Sequence, residues 1–88
     1  MRVKLERLVK RAVREGRAVL GYRKSMKLLK SGKPRLVIVA SNAPRRVLEE
    51  IEHNCKVGGV QFKIFEGTSL QLGLLCGKPF PVMVMAVM

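Results

Sequence analysis

Residues 35–44 read RLVIVASNAP, and that stretch decides the fold. Its first six residues are rich in β-branched side chains and, after Arg35, continuously apolar. A strand lying at a sheet surface would alternate with polar residues, so this run predicts a central strand, 35–40, buried on both faces. Ser41 to Pro44 then stops it. Proline suits the first turn of a following helix, with Asn42 or Ala43 near its N-cap.

The flanks extend the pattern. Downstream, Val47, Leu48 and Ile51 give a helix its apolar side, and Glu49, Glu50 and Glu52 its solvated side. Gly58-Gly59 turns the chain into VQFKIF (60–65), another strand. GTSLQLG (67–73) then offers a turn, a Thr or Ser cap and a short helix through Leu75, broken by Gly77 and Pro79. VMVMAVM (82–88) is the last strand. Upstream, Gly32 and Pro34 end a helix over 23–31 whose Met26, Leu28 and Leu29 face the core. RAVL (17–20) precedes it as a short strand. Residues 3–13 place Val3, Leu5, Leu8, Val9, Ala12 and Val13 on a stripe, cations fill most other positions, and Gly16 fits the cap. Helices alternating with strands predict an α/β fold, a three-layer α-β-α sandwich around a four-stranded mixed sheet, in one domain spanning 1–88.

Charge narrows the function. The 88 residues carry 18 Lys or Arg against 6 acids, a net of +12, with pI about 10.8. Residues 1–46 hold 15 of those cations and 2 Glu, a net of +13, while residues 47–88 come to −1. So basic a domain repels itself and calls for an anionic partner, nucleic acid first and an acidic membrane surface second. The first helix, with its basic face and apolar stripe, is compatible with a membrane surface. It lacks Trp and Phe, however, and the strands need the stripe as a core layer. No apolar run approaches the roughly 20 residues that span a bilayer, and no signal peptide is evident, so an intracellular site is expected.

Catalysis finds little support. His53 is the sole histidine and sits within the Glu-rich helix; Cys55 and Cys76 lack metal-ligand spacing and read as reduced thiols in or near the core. GTSLQLG lacks the lysine and hydroxyl of a P-loop. No enzyme activity, metal, cofactor or small-molecule substrate is expected.

Binding chemistry gathers at the strand-to-helix junctions, where exposed N–H groups favour phosphate. At Gly21–Lys27, Gly21 lets backbone approach a ligand, and Arg23, Lys24 and Lys27 add donors. At Ser41–Arg46, Asn42 either caps the helix or reaches a base edge. Arg45 and Arg46 oppose the helix dipole in its first turn, a cost an anion would relieve. Gly67–Ser69 is a third junction, outside the basic half. In Gly77–Val82, Phe80 between two prolines either packs on unstacked bases or plugs the core edge.

Taken together, GYRKSMKLLKSGKPRLVIVASNAP (21–44) and EIEHNCKVGGVQFKIFEGTSLQLGLLCGKPFPV (50–82) resemble the thirty-e family of large-subunit ribosomal proteins of archaea and eukaryotes, over roughly residues 5–88. The shared elements are Gly-Tyr-basic-x-Ser, an apolar strand ending in Ala-x-Asn-x-Pro, Glu-Ile-Glu, Leu-Gly and Gly-Lys-x-Phe. The resemblance implies an α-β-α sandwich that binds kink-turn or related internal-loop ribosomal RNA, in a superfamily shared with the seven-Ae ribosomal protein. It implies a cytoplasmic place on the ribosome, beside neighbouring ribosomal proteins. By motif, Arg23, Asn42 and Phe80 carry over as RNA contacts, Gly21 and Lys24 join by adjacency, and Lys27 by its helix. Pro79 and Pro81 around Phe80 depart from the family pattern. The Gly-Tyr-Arg-Lys entry, where seven-Ae relatives have Asn-Glu, favours a ribosomal over a non-ribosomal kink-turn binder.

Overall fold

Leu36–Ala40 forms a strand with all five residues buried. Its alternation feeds two cores at once. Leu36, Ile38 and Ala40 pack on one side of the sheet, and Val37 and Val39 on the other. That is why the run is apolar without a gap. The computed structural model of the protein describes residues 2–31 and 34–88, and side chains from Lys4 onward. Val3, expected on the first helix's stripe, and Gly32, expected to end the second, fall outside the described side chains and residues.

In chain order the elements are α1 (Arg2–Arg14), β1 (Ala18–Leu20), α2 (Tyr22–Ser31), β2 (Leu36–Ala40), α3 (Arg45–Gly58), β3 (Gln61–Phe65), α4 (Ser69–Leu75) and β4 (Val84–Val87). The sheet order is β1-β4-β2-β3. β2 runs parallel to β3 and antiparallel to β4, and β4 is antiparallel to β1. The sheet is therefore mixed, as expected.

α1 and α4 cover one face, with Val9, Ala12, Leu72 and Cys76 buried against Ile38 and Met85. α2 and α3 cover the other, where Met26, Val47, Ile51 and Cys55 meet Val39 and Val84. Ile38 and Ile51 are fully buried, each worth about 1.5–3 kcal/mol of apolar transfer. β3 is an edge strand, and its exposed Lys63 discourages pairing with another chain.

The helix ends follow local chemistry. Gly16, at φ 71°, ends the α1 turn as expected, and Arg17 N–H reaches back to the Ala12 carbonyl. Thr68 and Gln71 form a reciprocal capping box on α4. One expectation fails. Pro44 is itself the N-cap of α3, with no side-chain hydrogen bond, so neither Asn42 nor Ala43 caps that helix. Ala43 is buried in the core instead, and Asn42 is engaged elsewhere. The last strand also begins later than expected, at Val84, because Val82 bonds across to the Ser69 carbonyl.

Candidate nucleic-acid interface

Because β2 and β3 run one way and β4 the other, four chain segments meet at one end of the sheet. These are the start of α2, the β2–α3 loop, the β3–α4 loop and the segment entering β4. Hydrogen bonds join them. Gly21 N–H donates to the Val84 carbonyl at 2.8 Å, and Ala40 N–H to the Met83 carbonyl at 2.8 Å. The Ser41 hydroxyl donates to the Gly67 carbonyl at 2.8 Å. Ser69 N–H donates to Asn42 Oδ1 at 2.9 Å, and Val82 N–H to the Ser69 carbonyl at 2.9 Å. Each loop is held by another, so the surface they form is preorganised.

Gly21 sits at φ 115°, a backbone conformation that favours glycine. Space is not the constraint there, since an added Cβ would meet nothing within 4 Å. α2 follows immediately. Tyr22 donates its phenolic proton to Glu50 Oε1 and so ties α2 to α3. That bond, with partial desolvation, raises the Tyr22 pKa. Glu50, expected on a purely solvated side, is thus a structural acceptor. Ser25 points inward and is fully buried. Arg23 and Lys27 are exposed and line a shallow groove with Tyr22 and Glu50. Lys27 lies about one turn further along α2 than Arg23. Lys24 is exposed beside them.

Asn42 is exposed, and its side chain spans to the start of α4. Its amide nitrogen lies 3.5 Å from Ser69 Oγ, a weak contact that leaves donor capacity facing solvent. Arg45 and Arg46 occupy the first turn of α3, which contains no acid. Arg45 is pulled towards Glu49, at 3.2 Å between largely exposed groups, which is worth little in stability. Arg46 is exposed, and its charge acts on Tyr22 at the start of α2. Phe80 is 49% exposed, so it does not plug the core. Its backbone rests on α4, and a Cβ on Gly73 would overlap the Phe80 carbonyl oxygen.

All eight residues expected from the sequence, Gly21, Arg23, Lys24, Lys27, Asn42, Arg45, Arg46 and Phe80, lie on the segments at or leading from this end of the sheet. The sequence reading passed over the parts that hold them: Ser69 as Asn42's partner, Gly67 as Ser41's, and Gly73 as the seat of the Phe80 loop. The Gly-Thr-Ser junction was visible, but its lack of cations concealed it. Lys78, exposed in the last loop, was also missed. Among the described residues, no group of three His, Cys, Asp or Glu side chains is placed to hold a metal ion, and no helix is long and apolar enough to cross a membrane.

Comparison with known proteins bears on the family and the fold. The family described as ribosomal protein L7Ae/L30e/S12e/Gadd45 matches residues 3–88. The chain is 45% identical to large ribosomal subunit protein eL30 of Methanopyrus kandleri over 84 residues, covering 96% of this chain and 77% of that protein. It is 41% identical to eL30 of Archaeoglobus fulgidus over 83 residues, covering 94% and 92%. Among solved structures, the 15.5 kD RNA binding protein of Giardia lamblia superposes with a TM-score of 0.84 at 28% identity, covering 97% of this chain and 71% of that one. The chain belongs to the ribosomal protein L7Ae/L30e/S12e/Gadd45 family.

Proposed function

We propose that residues 1–88 form one RNA-binding domain that serves as a structural protein of the large ribosomal subunit. It holds a kink-turn or related internal loop of ribosomal RNA against the surface formed by Gly21–Lys27, Ser41–Arg46 and Gly77–Val82. The observation that carries this reading is the bonded network at one end of the sheet. It presents exposed cations, the Asn42 amide and the half-exposed Phe80 ring together on a rigid support.

The roles divide by chemistry. Arg23, Lys24, Lys27, Arg45 and Arg46 supply phosphate contacts that position the RNA. Gly21 exposes backbone next to them. The Asn42 amide donates to a base edge, and Phe80 stacks on an unpaired base or sugar. The work is binding, with no catalytic step. The archaeal relatives named as eL30 favour the ribosome as its place. A non-ribosomal RNA-binding role is the competing reading, favoured by the name of the Giardia protein alone.

The test compares wild type with Asn42→Ala and Phe80→Ala on a kink-turn RNA and on a plain duplex of equal length. Each change should cost about 1–3 kcal/mol on the kink-turn only. Equal binding of both RNAs, unmoved by either change, would overturn the site. Co-sedimentation with large subunits in salt-washed extracts separates the ribosomal role from the other.

A further inference from the structure

We propose that the opposite end of the sheet, where β2 and β3 begin and β4 ends, is a second RNA-docking face. It takes the phosphates of an RNA segment separate from the one held by the loops.

The observation is a basic groove far from the loop network. One wall is α1, which contributes Lys4, Arg7 and Arg11. These are spaced i, i+3 and i+7 and therefore share one helix face. The other wall is Arg17, just before β1, and Arg35, just before β2. Two acids stand near members of this set: Glu66 shares a neighbouring groove with Lys4, and Glu15 pairs with two of the arginines. Glu15 lies 2.8 Å from Arg17 and 3.4 Å from Arg11, and it partly neutralises those two. Lys4, Arg7 and Arg35 are exposed, and Arg7 and Arg35 have no side-chain partner among the described residues. The position of Arg11 and Arg14 in the last turn of α1 is favourable to the helix dipole. That leaves Arg7 and Arg35, in particular, without an internal reason for their charge.

Distance separates this face from the loops. β2 alone spans about 13 Å between the Leu36 and Ala40 α-carbons, and loops extend beyond each end of it in a molecule 24–29 Å across. The nucleotides held at Asn42 and Phe80 therefore do not also sit at Arg35. Much of the basic half of the chain therefore falls into two patches, one at each end of the sheet.

Chemistry favours RNA over a lipid surface or an acidic protein. Four of the five cations are arginines, whose planar forks match phosphate oxygens. The apolar side of α1 is not free to enter a membrane, because Val9 and Ala12 are fully buried against the sheet. This proposal does not rest on the identity of the loop-bound RNA, only on that end being occupied by one.

The experiment first saturates the protein with a fluorescent kink-turn RNA, then titrates in a plain RNA duplex carrying a second fluorophore. A base variant, Lys4→Gln/Arg7→Gln/Arg35→Gln, is compared with a control of equal charge loss, Lys10→Gln/Lys56→Gln/Lys63→Gln. Wild type should form a ternary complex. The base variant should capture the duplex at least tenfold more weakly, and its log–log salt slope should fall by about 2–3, near 0.9 for each lost contact. Its kink-turn affinity should stay within threefold. Asn42→Asp/Phe80→Ala should do the reverse, and its failure to do so would count against the loop reading alone. Absence of a ternary complex, or equal losses in base and control variants, would overturn the second face. So would equal capture of phosphatidylserine vesicles. Thermal melting confirms folding of each variant, and the single change Arg7→Glu carries the comparison if the triple variant folds poorly.

Discussion

The Oδ1 of Asn42 accepts a 2.9 Å hydrogen bond from the backbone N–H of Ser69, 27 residues away. That N–H is one of the orphan donors at the start of α4. A residue that the sequence offered as either a cap for α3 or a base-edge contact thus serves a different helix, and it fixes the β2–α3 loop to the β3–α4 loop.

Asn42 should therefore show two separable roles. Asn42→Asp keeps the acceptor for Ser69 N–H at a helix start, where negative charge is tolerated, but it loses the amide donor. Melting temperature should stay near wild type while kink-turn affinity falls by about 1–3 kcal/mol or more. Asn42→Ala should lose both, with a stability cost of about 1 kcal/mol. Equal affinities for the Asp variant and wild type, measured by filter binding, would remove the amide from the interface.

Gly73 lies inside α4, where alanine would ordinarily stabilise by about 1 kcal/mol. Here the added methyl meets the Phe80 carbonyl and the Pro81 α-carbon, which are backbone and cannot rotate aside. Overpacking of that kind costs about 1–3 kcal/mol, so the clash should win. Gly73→Ala should lower stability in urea and weaken RNA binding by displacing Phe80. Phe80→Ala should weaken RNA binding with stability close to wild type, since the ring is already 49% exposed.

Cys55 and Cys76 are both buried and free, and burial raises both thiol pKa values. They belong to cores on opposite faces of the sheet, so the sheet stands between them and no disulfide joins them in the folded protein. Thiolate is the reactive form. Iodoacetamide at pH 8 should label neither residue until denaturant unfolds the chain, and then both together. Fast labelling of one in native buffer would show that its side of the sheet opens locally.

Glu15 titrates below the ordinary carboxylate value, chiefly because Arg17 donates a hydrogen bond to it and then through the charges of Arg17 and Arg11. A depressed folded value means a contribution that is present above the unfolded pKa near 4.5 and lost as pH falls through the folded one. Solvent screening at this exposed site keeps that contribution small. Carboxyl chemical shifts followed through a pH titration should place Glu15 below the ordinary carboxylate value, and Arg17→Gln should return it towards that value.

The run Leu36–Ala40 was legible as a doubly buried strand because its composition leaves no polar face. Gly16 and the Thr68-Ser69 pair marked helix ends because each supplies a local need, a left-handed turn in one case and a side-chain acceptor in the other, and the fold takes Thr68 as that acceptor. Arg23, Asn42 and Phe80 could be named as binding candidates from residue type, loop position and the family motif, and they stand as part of the proposed site. The partner of Asn42 was not legible. Ser69 is distant in sequence, and only the parallel pairing of β2 with β3 brings their following loops side by side. Gly73 was invisible for the same reason, because its constraint comes from a loop folded back on α4.

What the sequence by itself determined is the list of elements, the sign of the charge and the family motif, since periodicity, composition and local capping are properties of neighbouring residues. What only the tertiary structure decided is where the charge goes. The cations of α1 and those of α2 and α3 form one basic half of the chain. The antiparallel insertion of β4 between β1 and β2, with α1 packed on one face, puts Lys4, Arg7 and Arg11 beside the strand ends away from the loops, while the cations that begin α2 and α3 stay at the loop end. Strand order is set by which apolar faces bury best together, and that is a property of the whole chain rather than of any stretch within it.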